Sequence, residues 1–351
     1  MRTAALALVA VLALAATACN GPDDEPEATD TLPEPTEAAP TTARPTTTLS
    51  PQTTTTTAAR RLEWRRLAPV PTARTEVATA VAGGRIYVIG GLTLDGTTVA
   101  TVEVYDPATD TWAQGPPLPL ALNHLMATSL NGVVYVVGGY RGPGLSNASD
   151  RAFALRQAGW EELSRMPEVR AAGGAAVAAG KLYVAGGVGP EGLASSTLVF
   201  DPITGTWETA PGLPTRREHL GVAGDGTRIY VFGGRTGGIG SNLAAAEAFD
   251  PATGAWSNLP DMPTPRGGIA AAVTAGGLIV VAGGEERSGT FDEAEAFDVR
   301  SEEWVVLPKL PTARHGVGVA ALGDTVYVVA GGPRPGLTVS DANEAIDLSE
   351  S

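Results

Sequence analysis

The segment RIYVIGG, Arg85 to Gly91, is an apolar run ending on two glycines, the pattern of a buried strand that stops at a sharp backbone feature. The phrase returns as VVYVVGG ending at Gly139, KLYVAGG at Gly187, RIYVFGG at Gly234, LIVVAGG at Gly284 and VYVVAGG at Gly332, at intervals of 48, 48, 47, 50 and 48 residues. The surrounding pattern repeats with it. A run of small residues (GIAAAVTA from Gly268) leads through a short turn into the diglycine strand, a variable loop follows, and an alternating strand then closes on a turn, as in VEVYDPATDTW, TLVFDPITGTW and AEAFDPATGAW. Asp-Pro followed by Thr and Gly or Asp suits a type I turn, in which Asp accepts backbone hydrogen bonds and Pro presets φ. The pattern predicts four short antiparallel strands per unit, a meander used six times.

All six tryptophans, Trp64, Trp112, Trp160, Trp207, Trp256 and Trp304, keep the same period, standing 48, 48, 47, 49 and 48 residues apart. A diglycine after the second strand with a Tyr/Trp pair at later spacings resembles the kelch repeat over Leu62 to Leu348. The resemblance implies an all-β, six-bladed β-propeller of four-stranded blades around a central channel. The residues agree with it: strands that converge on an axis need small side chains, and the small-residue runs read EVATAVA, GGAAVAA, GIAAAVTA and GVGVAA. The large indoles are expected at blade contacts, each N–H needing an acceptor.

The ends of the chain predict how the ring closes. The last unit stops at EAIDLSES, where its turn and tryptophan should follow, while LEWRRLAPVPTAR carries Trp64 with no unit before it. The segment around Trp64 is therefore expected to form the outermost strand of the sixth blade. The blades are placed at Arg74 to Pro119, Leu120 to Pro167, Glu168 to Pro214, Thr215 to Pro263, Thr264 to Pro311, and Thr312 to Leu348 plus Leu62 to Val70. Blade 2 has FALRQAGW in place of an Asp-Pro turn, blade 5 turns through FDVRSEEW, and in blade 6 the tyrosine lies one residue further from its diglycine than in blades 1 to 4.

Upstream of the repeats the composition changes. MRTAALALVAVLALAATAC has a basic start, about fifteen apolar residues, too few for a membrane span of roughly 20, and small residues before Cys19, the only cysteine. Residues 1–19 resemble a bacterial lipoprotein signal with the box Ala16-Thr17-Ala18-Cys19, which implies lipidation at Cys19, a membrane anchor and an extracytoplasmic, cell-surface location. Residues 20–61 are acidic and proline-rich, then threonine-rich, with too few apolar residues to offset the entropy of ordering, and are expected to be a disordered linker. From residue 62 on, 31 acids stand against 20 bases, net −11, which disfavours nucleic acid as a partner. A single cysteine excludes an internal disulfide or a thiolate cluster.

The candidate site lies where loops vary on a constant scaffold. The connections after each diglycine (LTLDGTTVA, YRGPGLSNAS, VGPEGLASS, RTGGIGSNLA, EERSGTFDEA, PRPGLTVSDA) are long and dissimilar, and share a face with the links between blades. Ten residues after each tryptophan stand Arg74, Leu122, Arg170, Arg217, Arg266 and Arg314. Five guanidinium forks near the channel mouth suit a carboxylate, phosphate or acidic-peptide ligand. The same recurrence also suits a structural duty, tying strand starts to neighbouring carbonyls or to Glu76 and Glu218. His124, His219 and His315 fall within two residues of these positions and join the candidate ligand-binding set, although Leu122 and the separation of the blades argue against three imidazoles meeting at one metal. Copper radical oxidases similar to galactose oxidase need a cysteine in the propeller, which this chain lacks. Sialic acid mutarotases place Arg and Glu at the channel, but neighbours such as Arg217 and Glu218 point to opposite faces of a strand. G-x-S-x-G, H-E-x-x-H and P-loop motifs are absent from the sequence. The expectation is a monomeric binding or interaction module for a protein, peptide or carbohydrate, with no metal or cofactor and no catalytic residue assigned, and with a sugar-acting enzyme of the mutarotase kind as the alternative.

Overall fold

The computed structural model describes residues 62–349, all strand, turn and loop. The expected signal segment with Cys19 and the expected linker over 20–61 lie outside the described residues. Six four-stranded antiparallel sheets follow one another around an axis. Lettering the strands of each blade a to d from the axis outward, blade 1 comprises Ala78–Ala82, Arg85–Ile89, Val102–Asp106 and Thr111–Gln114. The inner strands of blades 2 to 6 are Met126–Leu130, Gly174–Ala178, Gly221–Gly224, Ala270–Val273 and Gly318–Leu322. These strands surround a channel of about 310 Å³ walled by alanine, valine, glycine, threonine and serine. Small hairpins lengthen the b–c loops of blades 3 and 5.

Closure is as expected. The d strand of blade 6 is Arg65–Arg66 from the start of the propeller, with Arg65 opposite Ala345 and Arg66 opposite Glu344. Three cyclic sets of hydrogen bonds then fasten the blades together. On the outside, every indole donates to a backbone carbonyl of the preceding blade. Trp112 bonds Ala68 O at 2.9 Å, Trp160 Pro116 O, Trp207 Ser164 O, Trp256 Pro211 O and Trp304 Pro260 O, and Trp64 completes the circuit to Pro308 O at 2.7 Å.

The diglycines form the middle set. The second glycine N–H donates to the carbonyl of the next blade's arginine position: Gly91 to Leu122 O, Gly139 to Arg170 O, Gly187 to Arg217 O, Gly234 to Arg266 O, Gly284 to Arg314 O and Gly331 to Arg74 O. The first glycine of each pair takes positive φ close against the same carbonyl. A Cβ at Gly138 would lie 2.2 Å from Arg170 O, closer than any side chain can approach. Blade 6 uses Ala330 at this position, with φ 56. Its structural pair is thus Ala330–Gly331, and Gly332 is one residue past it. That offset explains the displaced tyrosine of the sixth repeat.

The innermost set runs around the axis. Glu76, His124, Ala172, His219, Gly268 and Gly316 occupy equivalent places, two residues after the arginine position, and all have positive φ between 48 and 76. Each N–H donates to the preceding member's carbonyl, and Glu76 N to Gly316 O closes the circle at 2.8 Å. Glycine, or a residue held by its neighbours, is needed here because left-handed backbone is strained for most side chains.

Candidate functional site

The five repeated arginines do not reach the channel mouth. Arg74, Arg170, Arg217, Arg266 and Arg314 are each 0% exposed, turned between the strands of their own blades. Arg74 pairs with Glu103 at 2.7 Å, Arg217 with Glu247 at 2.5 Å, Arg266 with Glu295 at 2.6 Å and Arg314 with Glu344 at 2.9 Å. Each glutamate comes from strand c. Threonines of the P-T-x-R phrase hold the second carboxylate oxygen, as Thr72 does for Glu103, Thr264 for Glu295 and Thr312 for Glu344. Other guanidinium donors go to carbonyls, as Arg74 Nη1 does to Gly90 O and Arg266 Nη1 to Gly283 O. Of the two duties open to these arginines, the structure therefore assigns the internal one. The expected ring of ligand-binding forks is corrected: a guanidinium with no exposed surface, paired to a carboxylate inside its own blade, cannot reach a ligand at the channel mouth. The partners also differ from the expected Glu76 and Glu218.

Blades 2 and 3 confirm the assignment by varying it. Blade 2 has Leu122 in the arginine place and Phe153 in the glutamate place, both fully buried in one apolar cluster, so the charges were replaced together. Blade 3 keeps Arg170 but has Leu198 on strand c, and the carboxylate moves to Glu168, at the threonine position, which bonds Arg170 directly.

The residues that do gather on the axis are those that break the repeat. Arg217 turns into its blade while Glu218 turns to the axis, as strand alternation requires. Glu218 and Glu285 hold Arg235 between them, each at 2.9 Å, and Gly336 N–H donates to the other Glu285 oxygen. Below them Glu76 lies 3.3 Å from His124 Nε2 and 3.7 Å from His315 Nε2, and His315 Nε2 is 3.6 Å from Glu285. The rings of His124 and His219 stand 4.9 Å apart, edge to face. Two of the three imidazoles thus come together despite the separation of their blades. The contracted inner circle brings residues two blades apart into contact, and only His315 stands off, bonded through Nδ1 to Gly332 O.

Burial would raise the Glu76 carboxyl, but charge interactions with His124, His219, His315 and Arg235 outweigh that and hold it below the usual carboxylate range. Burial pulls the His124 imidazole down to about 4 against the opposing pull of Glu76, leaving it neutral at pH 7. Burial, aided by Glu218, pushes the nearby Tyr140 hydroxyl up to about 12. Of this cluster, Glu76, His124 and His219 face the channel. They are the group, among the described residues, whose donor atoms lie close enough to share an ion, within 4.8 Å of one another.

Six diglycine blades, closed by an N-terminal strand and stapled by repeated indoles, define a β-propeller of the kelch class. The chain belongs to the kelch-repeat family: the model of the KLHDC2/KLHL20/DRC7 Kelch-repeats domain matches residues 127–332, more than half its length, and the Kelch motif matches residues 73–119. Similar stretches occur in an F-box/kelch-repeat protein of Arabidopsis thaliana (47% identical over 49 residues), in human Kelch-like protein 30 (52% over 48) and in beta-scruin of Limulus polyphemus (40% over 50). Each match covers 14% of this chain, about one blade, and from 13% down to 6% of the relative.

Proposed function

We propose that this propeller is a binding module that presents the face of its b–c loops to a protein or peptide ligand. The observation that carries the reading is the placement of exposed apolar side chains. Leu94, Leu145 and Leu337 are 66%, 56% and 47% exposed, and they stand on the b–c loops of the consecutive blades 1, 2 and 6. These loops touch: Thr98 donates to Gly142 O at 2.7 Å, and a Cβ on Gly96 would lie 3.6 Å from Leu337. Asp95, Arg141 and Arg334 are exposed beside them. Apolar groups with a polar surround, on loops that a stapled scaffold holds still, have the composition of a recognition patch. The buried state of the five arginines removes the main support for an anionic sugar or acidic peptide held by a guanidinium ring.

The test is a melting-shift screen of the protein against peptides, proteins and saccharides. A ligand at 100 times its Kd should stabilise by about 2.7 kcal/mol. The shift should vanish in a Leu94→Asp, Leu145→Asp, Leu337→Asp triple variant whose own melting temperature is unchanged. A bound ligand indifferent to that variant rejects this face.

The module is further proposed to be tethered outside a bacterial membrane through lipidated Cys19, supported by the apolar leader and by the sole cysteine falling at the end of the Ala16-Thr17-Ala18 box. Metabolic labelling with a palmitate analogue should mark the protein, and Cys19→Ser should abolish the label. Labelling that persists in the variant rejects the anchor.

A further inference from the structure

We propose that Glu76, His124 and His219 form a binding site for a zinc-type divalent cation at the axial end of the channel, on the side of the b–c loops but built from residues other than the exposed leucines of the proposed recognition patch. The donor set is two imidazole nitrogens and one carboxylate oxygen, a combination suited to borderline divalent ions and poorly suited to magnesium or calcium.

Hydrogen bonding fixes which nitrogen of each imidazole is free. Asn123 Nδ2 lies 3.3 Å from Gly142 O, which can only accept, so the amide nitrogen faces that carbonyl and Oδ1 faces His124. The His124 Nδ1 at 2.6 Å from Oδ1 therefore carries the proton. His219 Nδ1 faces the Glu218 carboxylate, again an acceptor, and is protonated for the same reason. Both rings consequently present an Nε2 lone pair. Imidazole ligands of metal ions are commonly oriented in this way, with Nδ1–H given to a carboxylate or carbonyl.

Spacing and charge agree. Two atoms bonded about 2.05 Å from a tetrahedral ion stand about 3.3 Å apart, and His124 Nε2 and Glu76 Oε2 are separated by 3.3 Å. The cluster around the site contains three carboxylates, Glu76, Glu218 and Glu285, and one guanidinium, Arg235, all of them largely buried. Carboxylates outnumber guanidinium groups around the site, an arrangement that favours a bound cation. Glu218 and Asn123 act as positioning residues, holding the rings without touching the ion, while Arg235 and Glu285 lock Glu218 in turn. Three protein ligands leave a coordination position open toward the 310 Å³ channel.

The experiment is titration of the untagged, chelator-stripped full chain with ZnCl2 by calorimetry, with metal content measured by mass spectrometry, and with MgCl2 and CaCl2 as hard-ion controls. One equivalent of zinc should bind with a Kd of micromolar or below, and magnesium and calcium should not compete at millimolar concentration. Co2+ in place of zinc should give visible d–d bands of a four- or five-coordinate nitrogen/oxygen site. The paired replacement His124→Asn and His219→Asn, chosen because asparagine accepts the left-handed φ of 48 and 54 at these positions, should weaken zinc at least 100-fold, and Asn123→Ala should weaken it 10- to 100-fold. Sub-stoichiometric zinc, no cobalt bands in the wild-type chain, or zinc binding unchanged in the folded double variant overturns the proposal.

Discussion

Two populations of buried arginine coexist in this propeller, and they differ in one respect. Arg74, Arg170, Arg217, Arg266 and Arg314 recur with the blade and are each closed against a carboxylate of the same blade. Arg235 does not recur. It comes from the residue after a diglycine and bridges carboxylates of blades 4 and 5 beside the channel axis. In a chain made of like units, recurrence marks what every unit needs in order to stand, and departure marks what the ring as a whole does. The equivalents of Glu76, His124 and His219 are Ala172, Gly268 and Gly316, so half the inner circle carries chemistry and half makes room for it.

The strongest way to break the comparison is to unpair a recurrent arginine. Arg266→Ala strands Glu295 in the blade and should cost about 3–5 kcal/mol in urea unfolding, whereas Arg266→Leu with Glu295→Phe, copying Leu122 and Phe153, should recover most of the loss in a double-mutant cycle. Next in size, Gly138→Ala should cost more than about 1 kcal/mol, because its Cβ would press on Arg170 O from the neighbouring blade. Trp207→Phe keeps the ring but leaves Ser164 O without its donor, and a loss near 1 kcal/mol is expected by thermal unfolding. Smallest of all, His124→Asn with His219→Asn in metal-free protein should change stability by less than about 1 kcal/mol, or raise it, since groups held together for binding are commonly a burden on the fold. A large loss there would place the axial residues with the scaffold and erase the distinction.

Much of the scaffold was legible in the sequence because it is periodic. Blade number, the outer strand around Trp64 and the need of each indole for an acceptor all followed from spacing. The duty of the arginines was only half legible. Their partners lie about 30 residues downstream on strand c, and the signal was present in the P-T-x-R phrases matched by VEVYD and AEAFD, and above all in blade 2, where Leu122 and Phe153 replace both partners at once. Blade 3 obscured it by moving the carboxylate to Glu168. The axial cluster was harder to read. Residues two blades apart are about 96 positions apart in the chain, and only the contraction of the left-handed inner circle, invisible to hydropathy, brings His124 to His219. Blade 6 shows the same limit on a smaller scale: counting glycines shifts its register by one, because Ala330 holds a conformation usually left to glycine.

The inner circle of amides has a geometric corollary. Its circumference equals the number of blades multiplied by a nearly constant peptide-to-peptide step, so the bore of the molecule is counted out in whole repeats. A homologue that gained a seventh unit would widen the aperture and draw the groups at positions 76, 124 and 219 apart, even with every side chain conserved. Duplication of a single exchangeable module would then abolish the axial centre without altering any residue in it.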